Sequence, residues 1–273
     1  MAEGGNQGSR GAEGPHLAID AMGGDGGPAV MIAGVDYGLM RFALPLFPNA
    51  SAEFAPIAQW LGVFAIICGA LLSFAQTDIK RLVAYSSVSH MGFVLIAIYS
   101  GSQIALQGAV VQMMAHGLSA AALFILCGQL YERVHTRDLR QMGGIWARMP
   151  WLPAISLFFA AAALGLPGTG NFVGEFLILI GSFPGAPWIV VLAATGLVLG
   201  SVYALAMIHR AYFGPAKSDA PLEALKAREL YMVLGLAVLL MLGNWALQFG
   251  AARLPAGVTA VVVLAEVVFA SVS

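Results

Sequence analysis

Charged side chains are scarce in this 273-residue chain, where Asp, Glu, Lys and Arg together make up 10% of the residues. Ordinary soluble domains carry roughly 25% charged residues, and long stretches here lack the polar residues that a soluble fold needs on its outer faces. Hydrophobic residues make up 59% of the chain, and the mean hydropathy is +0.83. The net charge is −1, so there is no basic field with which to bind nucleic acid. The composition predicts a polytopic membrane protein.

Cysteine is also rare. Cys68 and Cys127 both fall inside apolar segments and are not spaced like the ligands of a metal site. As small buried hydrophobic residues they need no further explanation. We therefore predict neither a metal site nor a disulfide.

Apolar segments long enough to cross a bilayer, roughly 20 residues each, recur along the chain at 55–76, 80–100, 104–131, 188–210 and 228–250. A further stretch, 150–184, would be about 52 Å long as a single helix, whereas the hydrocarbon core is ~30 Å thick. Its Pro/Gly-rich interruption at 164–171 resolves the excess by breaking the helix. Residues 30–46 form a weaker span, and 256–273 are just long enough to cross. We predict an all-α, polytopic membrane helix bundle with one discontinuous helix.

Basic residues occur in alternate loops only. Loops near 47–54, 100–104 and 184–188 contain no Lys or Arg. The other loops and span ends carry Lys80, Arg81, Arg133, Arg137, Arg140, Arg148, Arg210, Lys217, Lys226 and Arg228. This alternation follows the positive-inside rule, so we expect the basic loops to be cytoplasmic.

A single carboxylate, Glu175, lies in an apolar run directly after the helix break. Ionisable groups at membrane depth are costly and need a partner, a hydrated cavity or a proton. Unwound backbone at that depth is tolerated only where it is buried in protein or lines a polar pathway. A buried acid beside a broken helix predicts ion or proton movement. The alternative is a structural acid bonded to backbone donors that the break frees.

Two histidines lie inside neighbouring spans, each with a polar residue four positions earlier on the same helix face: Ser86 before His90 and Gln112 before His116. A buried histidine is often a hydrogen-bonded structural residue. Within a bilayer, however, a functional role is favoured over a structural one, because burying an ionisable group there is costly. Because imidazole receives and releases protons near neutral pH, His90, His116 and Glu175 together predict a proton relay.

Two further residues at the ends of spans are accessory candidates. Lys80 begins a span, where its side chain is expected to reach the membrane interface. His209 ends another span beside Arg210, either as an entry group for protons or as a structural residue at the interface. Together with Ser86 and Gln112 they complete the set of candidate residues.

The run FAQTDIKRLVAYSSVSHMG at 74–92, together with residues 112–119 and 165–175, resembles the antiporter-like membrane subunits of respiratory complex I and their cation/proton antiporter relatives. Residues 44–56 and the carboxylate at position 175, where sister subunits tend to have lysine, resemble the M-type subunit of bacterial NADH–quinone oxidoreductase. The resemblance extends over about 37–243.

The resemblance implies a role in proton translocation coupled to quinone reduction, with other complex I membrane subunits and the lipid bilayer as partners and the bacterial inner membrane as location. His90, His116 and Glu175 match the proton path of the family. Such subunits bind no redox cofactor and carry out no redox chemistry of their own. The family contains two inverted five-helix repeats, and this chain resembles the second. The key lysine of the family would fall at Ala33.

The two ends of the chain suggest other origins. Residues 16–25 resemble the first strand and loop of a bacterial phosphate acyltransferase, and residues 244–266 resemble a helix pair of drug/metabolite transporters. We therefore expect a Gly-rich disordered tail at 1–29, the antiporter-like module at 30–250 and a C-terminal helix of different origin at 251–273. Two alternatives to a complex I subunit are a stand-alone cation/proton antiporter or solute carrier, and an inactive composite fragment.

Overall fold

The computed structural model describes residues 38–40, 44–217 and 222–251, with residues 244 and 247–251 described by their backbone alone. The helices longer than one turn are α1 (Pro48–Ala75), α2 (Ile79–Ile98), α3 (Gln103–Val134), α4 (Trp151–Ala163), α5 (Gly170–Ser182), α6 (Pro187–Tyr212) and α7 (Ala227–Ala251). Single helical turns occur at Leu44–Leu46 and Ile145–Arg148. The described residues include no β-strand. The predicted all-α membrane bundle is confirmed.

Four of these helices are long and apolar enough to cross a membrane: α1, α2, α3 and α6, whose most apolar 18-residue windows have mean hydropathies between 1.4 and 2.2. In these windows 72% of the residues of α2 and 67% of those of α3 are buried, against 33% for α1 and 39% for α6. The central helices are therefore α2 and α3, while α1 and α6 flank them. The weak span at 30–46 and the predicted C-terminal helix at 251–273 lie largely outside the described residues, and the predicted tail at 1–29 lies wholly outside them.

The predicted helix break lies between α4 and α5. Each has 13 residues, about 20 Å of helix, and neither alone crosses a ~30 Å hydrocarbon core. Gly165 and Gly168 have φ of 79° and 98°, values that glycine adopts without a Cβ clash. Pro167 between them has no N–H for a helical bond. The break was predicted at 164–171 and is slightly shorter, because Gly170 and Asn171 already begin α5.

Close packing of α5 against α3 brings Glu175, the one acidic residue of α5, into the interior of the bundle. A Cβ on Gly174 would lie 2.8 Å from the Cα of Gln112, and one on Gly108 would lie 2.8 Å from the backbone nitrogen of Ile178. Glycines at helix crossings allow such close backbone approach. The crossing places the residue after Gly174, which is Glu175, beside the polar face of α3.

The basic loops meet at one end of the bundle. The Ile79 N–H donates to the Arg137 carbonyl at 3.0 Å, and the Leu139 N–H donates to the Thr77 carbonyl at 2.7 Å. Asp78 is the N-cap of α2, and its carboxylate accepts hydrogen bonds from the backbone N–H groups of Lys80 and Arg81. The loop that follows α3 is thus tied to the loop between α1 and α2.

Arg133 was predicted to lie in a loop, but the structure places it within a helix. It lies in the last turn of α3, is 9% exposed, and its guanidinium is 2.6 Å from the carboxylate of Glu229 in α7. The same guanidinium donates to the carbonyls of Gln129, Glu223 and Ala224. A buried charge needs such partners, so Arg133 fastens the segment before α7 to the end of α3.

Candidate functional site

Glu175 is the centre of a buried polar cluster between α2, α3 and α5. The residue is 2% exposed. One carboxylate oxygen, Oε1, lies 2.8 Å from Nδ1 of His90 and accepts a hydrogen bond from the Gln112 amide at 3.0 Å. Two neighbouring helices therefore supply hydrogen-bond partners to an acid that α5 carries into the interior.

His90 uses both of its ring nitrogens. Its Nδ1 faces Glu175, and its Nε2 lies 2.9 Å from the hydroxyl of Tyr203 on α6. When Glu175 is ionised and His90 neutral, Nδ1–H donates to the carboxylate and Nε2 accepts from the phenol. The arrangement therefore selects one tautomer of His90 and joins an acid, an imidazole and a phenol in a single hydrogen-bonded chain.

His116 lies beside His90, with 4.9 Å between the ring centroids and 39° between the ring planes. It is 2% exposed, and neither ring nitrogen has a hydrogen-bond partner among the described residues. Buried polar atoms without a protein partner are commonly satisfied by ordered water. The vicinity of His116 is therefore suited to hold water between the histidine pair and the rest of α3.

A second polar link joins α5 to α3. Asn171, at the start of α5, donates from its amide to the Ser119 hydroxyl at 3.2 Å, while its own amide oxygen has no partner among the described residues. Ser119 in turn donates to the carbonyl of His116. Buried polar side chains thus extend along α3 from Gln112 to Ser119, over two turns of the helix.

The ionisable partner of Glu175 is a histidine. Within the described part of the chain, no Lys or Arg forms an ion pair with Glu175, and its one ionisable contact is with His90. An isolated buried carboxylate is strongly disfavoured. Glu175 is therefore held by polar side chains of α2 and α3 and not by a fixed positive charge.

The structure brings four of the predicted residues together: Glu175, His90, His116 and Gln112. Ser86 is also buried, but its hydroxyl donates to the Val83 carbonyl at 2.7 Å. It lines a small apolar cavity together with Tyr203.

The other two accessory candidates lie outside the cluster. Lys80 is exposed in the first turn of α2. His209 is exposed in the last turn of α6, with its ring stacked on Phe213 at 6.2 Å between centroids. Neither contacts Glu175 or the two buried histidines, so any part in proton movement would be at the basic end of the bundle.

Sequence reasoning missed Tyr203 and Asn171. Tyrosine is common at the ends of membrane spans, whereas Tyr203 lies nine residues before the end of α6, and this depth was a usable signal. Asn171 is 0% exposed, but the sequence placed it in the break, where an exposed or backbone-bonded amide is equally plausible. Only the packing of α5 on α3 reveals its partner.

Groups that could hold a metal are absent from the described residues: no three His, Cys, Asp or Glu side chains are arranged to do so. The cluster has one carboxylate, two imidazoles, a phenol and an amide within hydrogen-bonding or stacking distance. This is a set of groups that can pass a proton between them.

Comparison with known proteins agrees with the resemblance read from the sequence. The family described as NADH:quinone oxidoreductase/Mrp antiporter, transmembrane, matches residues 28–200. NADH-quinone oxidoreductase subunit M of Pseudomonas aeruginosa is 77% identical over 213 residues, which are 78% of this chain and 42% of that protein. The subunit of the same name in Escherichia coli is 68% identical over 216 residues, again 78% of this chain and 42% of that protein.

Solved structures give the same relationship. Respiratory complex I from Thermus thermophilus with bound NADH contains a chain that superposes with a TM-score of 0.76 at 29% identity, over 85% of this chain and 49% of that one. The Mrp complex from Dietzia sp. has a TM-score of 0.72 at 17% identity, over 85% and 52% of the two chains, and the likeness there concerns the fold alone. This chain therefore spans less than half of the length of the curated relatives above. Since the family match covers more than half of this chain, the protein is a membrane-embedded member of the NADH:quinone oxidoreductase/Mrp antiporter transmembrane family.

Proposed function

We propose that this protein takes part in proton translocation as a membrane subunit of an NADH–quinone oxidoreductase. The observation that carries the proposal is the buried contact of 2.8 Å between Glu175 and His90, beside a break in a membrane helix. Such an acid has no structural need for a titratable partner, since backbone or amide donors would serve. A histidine partner instead gives the pair two positions for one proton.

The hydrogen-bonded chain supports a specific order of transfer. His90 passes its Nδ1 proton to Oε1 of Glu175, and Nε2 takes the hydroxyl proton of Tyr203. A water molecule then returns a proton to the Tyr203 oxygen. Both distances, 2.8 and 2.9 Å, are in the range for direct transfer along a hydrogen bond. His116 makes no direct hydrogen bond to His90, so transfer between the two rings requires a water molecule. In this proposal Gln112 is a positioning residue, because its amide fixes Oε1 without exchanging a proton.

The proposed setting is the membrane arm of the complex. High identity to subunit M proteins over 78% of the chain supports other membrane subunits of complex I as partners, coupled to quinone reduction that occurs elsewhere. The chain would bind no redox cofactor. We propose residues 30–250 as the functional module, with residues 1–29 and 251–273 as segments of different origin. Support for the first part of this module comes from the family match at residues 28–200.

The proposed location is the bacterial inner membrane with the basic loops cytoplasmic. Support comes from the contacts that gather these loops at one end of the bundle and from the positive-inside rule. Arg140→Cys in the loop after α3 should react with a membrane-impermeant maleimide only after right-side-out spheroplasts are opened. Trp188→Cys at the start of α6, 77% exposed, should react in intact spheroplasts. The reverse pattern would contradict this orientation.

The proton role is tested by Glu175→Gln, which keeps the shape of the side chain and removes its titration. The chain is expressed with the other subunits of the complex, and NADH-driven acidification of proteoliposomes is followed with a pH-sensitive dye. We expect the proton flux per NADH oxidised to fall. The matched control is Glu53→Gln, the same chemical change at an exposed site on α1, which should leave the flux unchanged.

Co-purification distinguishes the proposal from its alternatives. A complex I subunit should purify with other membrane subunits, whereas a stand-alone carrier should move protons when it is reconstituted by itself. An inactive fragment should do neither. Equal proton flux in wild-type and Glu175→Gln complexes of equal subunit content would refute the role of the carboxylate.

A further inference from the structure

A cavity of about 220 Å³ lies beside the helix break, on the side of Glu175 away from the histidine pair. Its walls come from the break, from α5 and from α6. The lining includes Leu164, Gly165, Phe172, Phe176, Leu197 and Ser201, and it also includes Glu175. Phe176 and Leu166, at its outer edge, are 50% and 48% exposed, so the cavity has its mouth at the surface of the bundle.

The two oxygens of Glu175 face different surroundings. Oε1 receives the contacts from His90 and Gln112. Oε2 is directed towards the break and lies 3.0 Å from the position that a Cβ on Gly165 would occupy. The absence of a side chain at Gly165 therefore leaves one carboxylate oxygen at the inner wall of the cavity. The proposed proton chain does not use this oxygen.

Two aromatic rings complete the site. Phe172 and Phe176 are on successive turns of α5, stacked with 5.6 Å between centroids and 15° between planes, and both line the cavity. The faces of aromatic rings attract organic cations, most strongly where water is excluded. Among the described residues that line the cavity there is no Lys or Arg. The site thus combines a carboxylate oxygen with aromatic rings, and none of the described lining residues is a competing cation.

From this combination we infer that the cavity binds a small amphipathic ammonium ion. The ammonium group would meet Oε2 of Glu175, and the apolar part of the ligand would pack among Phe172, Phe176 and Leu197. A volume of about 220 Å³ is below the ~300–1,000 Å³ of sites for drug-sized ligands, so the ligand is the size of one ring with a short chain. Anions are repelled by the carboxylate, and neutral molecules gain no charge interaction.

Binding is measured on the full-length chain alone, purified into nanodiscs, by saturation-transfer NMR titration. The probe is 2-phenylethylammonium, and 2-phenylethanol is its neutral counterpart of nearly equal shape. We expect the ammonium ion to bind about tenfold more tightly than the alcohol, which is the size of a desolvated cation–aromatic and charge contribution. The assay has no proton-flux readout, so its failure is distinguishable from failure of the proposed proton role.

Three variants locate the ligand. Glu175→Gln should lose most of the preference for the ammonium ion and keep only the contribution of the aromatic rings. Retained alcohol binding in this variant reports an intact cavity. Ser201→Phe, which fills the cavity from α6, should weaken ammonium binding about tenfold or more. The matched control is Leu205→Phe, one turn further along α6 and 55% exposed, which should bind as the wild type does.

Three results would overturn the inference. One is equal affinity of the wild type for the two probes. Another is a cation preference that is as large in Glu175→Gln as in the wild type. The third is binding that Ser201→Phe and Leu205→Phe affect equally, which would indicate partition of the probe into lipid.

Discussion

Tyr203→Phe removes a single hydroxyl from the proposed proton chain and leaves the ring in place. Tyr203 and His90 are 3% and 4% exposed, so water does not simply replace the lost partner. Loss of the 2.9 Å contact leaves Nε2 of His90 buried without a hydrogen bond, which costs about 1–3 kcal/mol. The other tautomer gives no relief, because Nδ1 would then face Glu175 without a proton to donate. We therefore expect both lower stability and slower proton transfer.

The chain offers a matched control for this variant. Tyr212, on the same helix, is 2% exposed, and its hydroxyl lies 2.7 Å from that of buried Ser156, away from the cluster. Tyr212→Phe should lower the free energy of unfolding, measured by denaturing-detergent titration in mixed micelles, by a similar ~1–3 kcal/mol. Only Tyr203→Phe should reduce NADH-driven proton flux in the assembled complex. Equal flux in the two variants would show that Tyr203 is merely structural.

Two further substitutions test the packing that holds the site together. Gly174→Ala places a Cβ 2.8 Å from the backbone of Gln112 and should cost about 1–3 kcal/mol of stability. The control is Gly117→Ala, where a Cβ meets nothing within 4 Å, and which should be neutral or stabilising by up to ~1 kcal/mol. Equal thermal unfolding of the two variants would contradict the close crossing of α5 and α3. Glu229→Gln weakens the buried pair with Arg133 and should lower the stability by on the order of 3 kcal/mol in the same assay. The double variant Arg133→Met with Glu229→Leu should lose less stability than this single variant, because neither charge is then left unpaired. A single change that costs less than the double change would contradict the pairing.

The fold was largely predictable because membrane spans are set by length and composition. The segments 80–100 and 188–210 correspond to α2 and α6 within a few residues at each end. The break in 150–184 was predictable for a mechanical reason, since one helix of that length cannot fit across the bilayer. Its Gly and Pro residues then fixed where the chain turns.

The site was only partly predictable, because residues on one helix share a face by periodicity, whereas contacts between helices depend on packing. His90 and Ser86 were expected on one face, yet Ser86 bonds to its own helix and His90 reaches across to α5 and α6. Arg133 was likewise predicted to be a cation in a loop, because its partner Glu229 lies 96 residues later in the chain. Sequence periodicity carries no information on such distant pairs.

Gly165 determines both the backbone conformation of the helix break and the space around the Glu175 carboxylate. Its φ of 79° is one that a residue with a side chain adopts only at a cost, and its missing Cβ leaves space 3.0 Å from Oε2 of Glu175. A continuous helix would have placed a side chain in this space and would have given the carboxylate neighbours on both sides. Because the helix is interrupted here, one oxygen of Glu175 belongs to the histidine chain and the other to a cavity that opens at the surface of the bundle. The broken helix therefore places the two oxygens of one buried acid in different surroundings without any movement of its backbone.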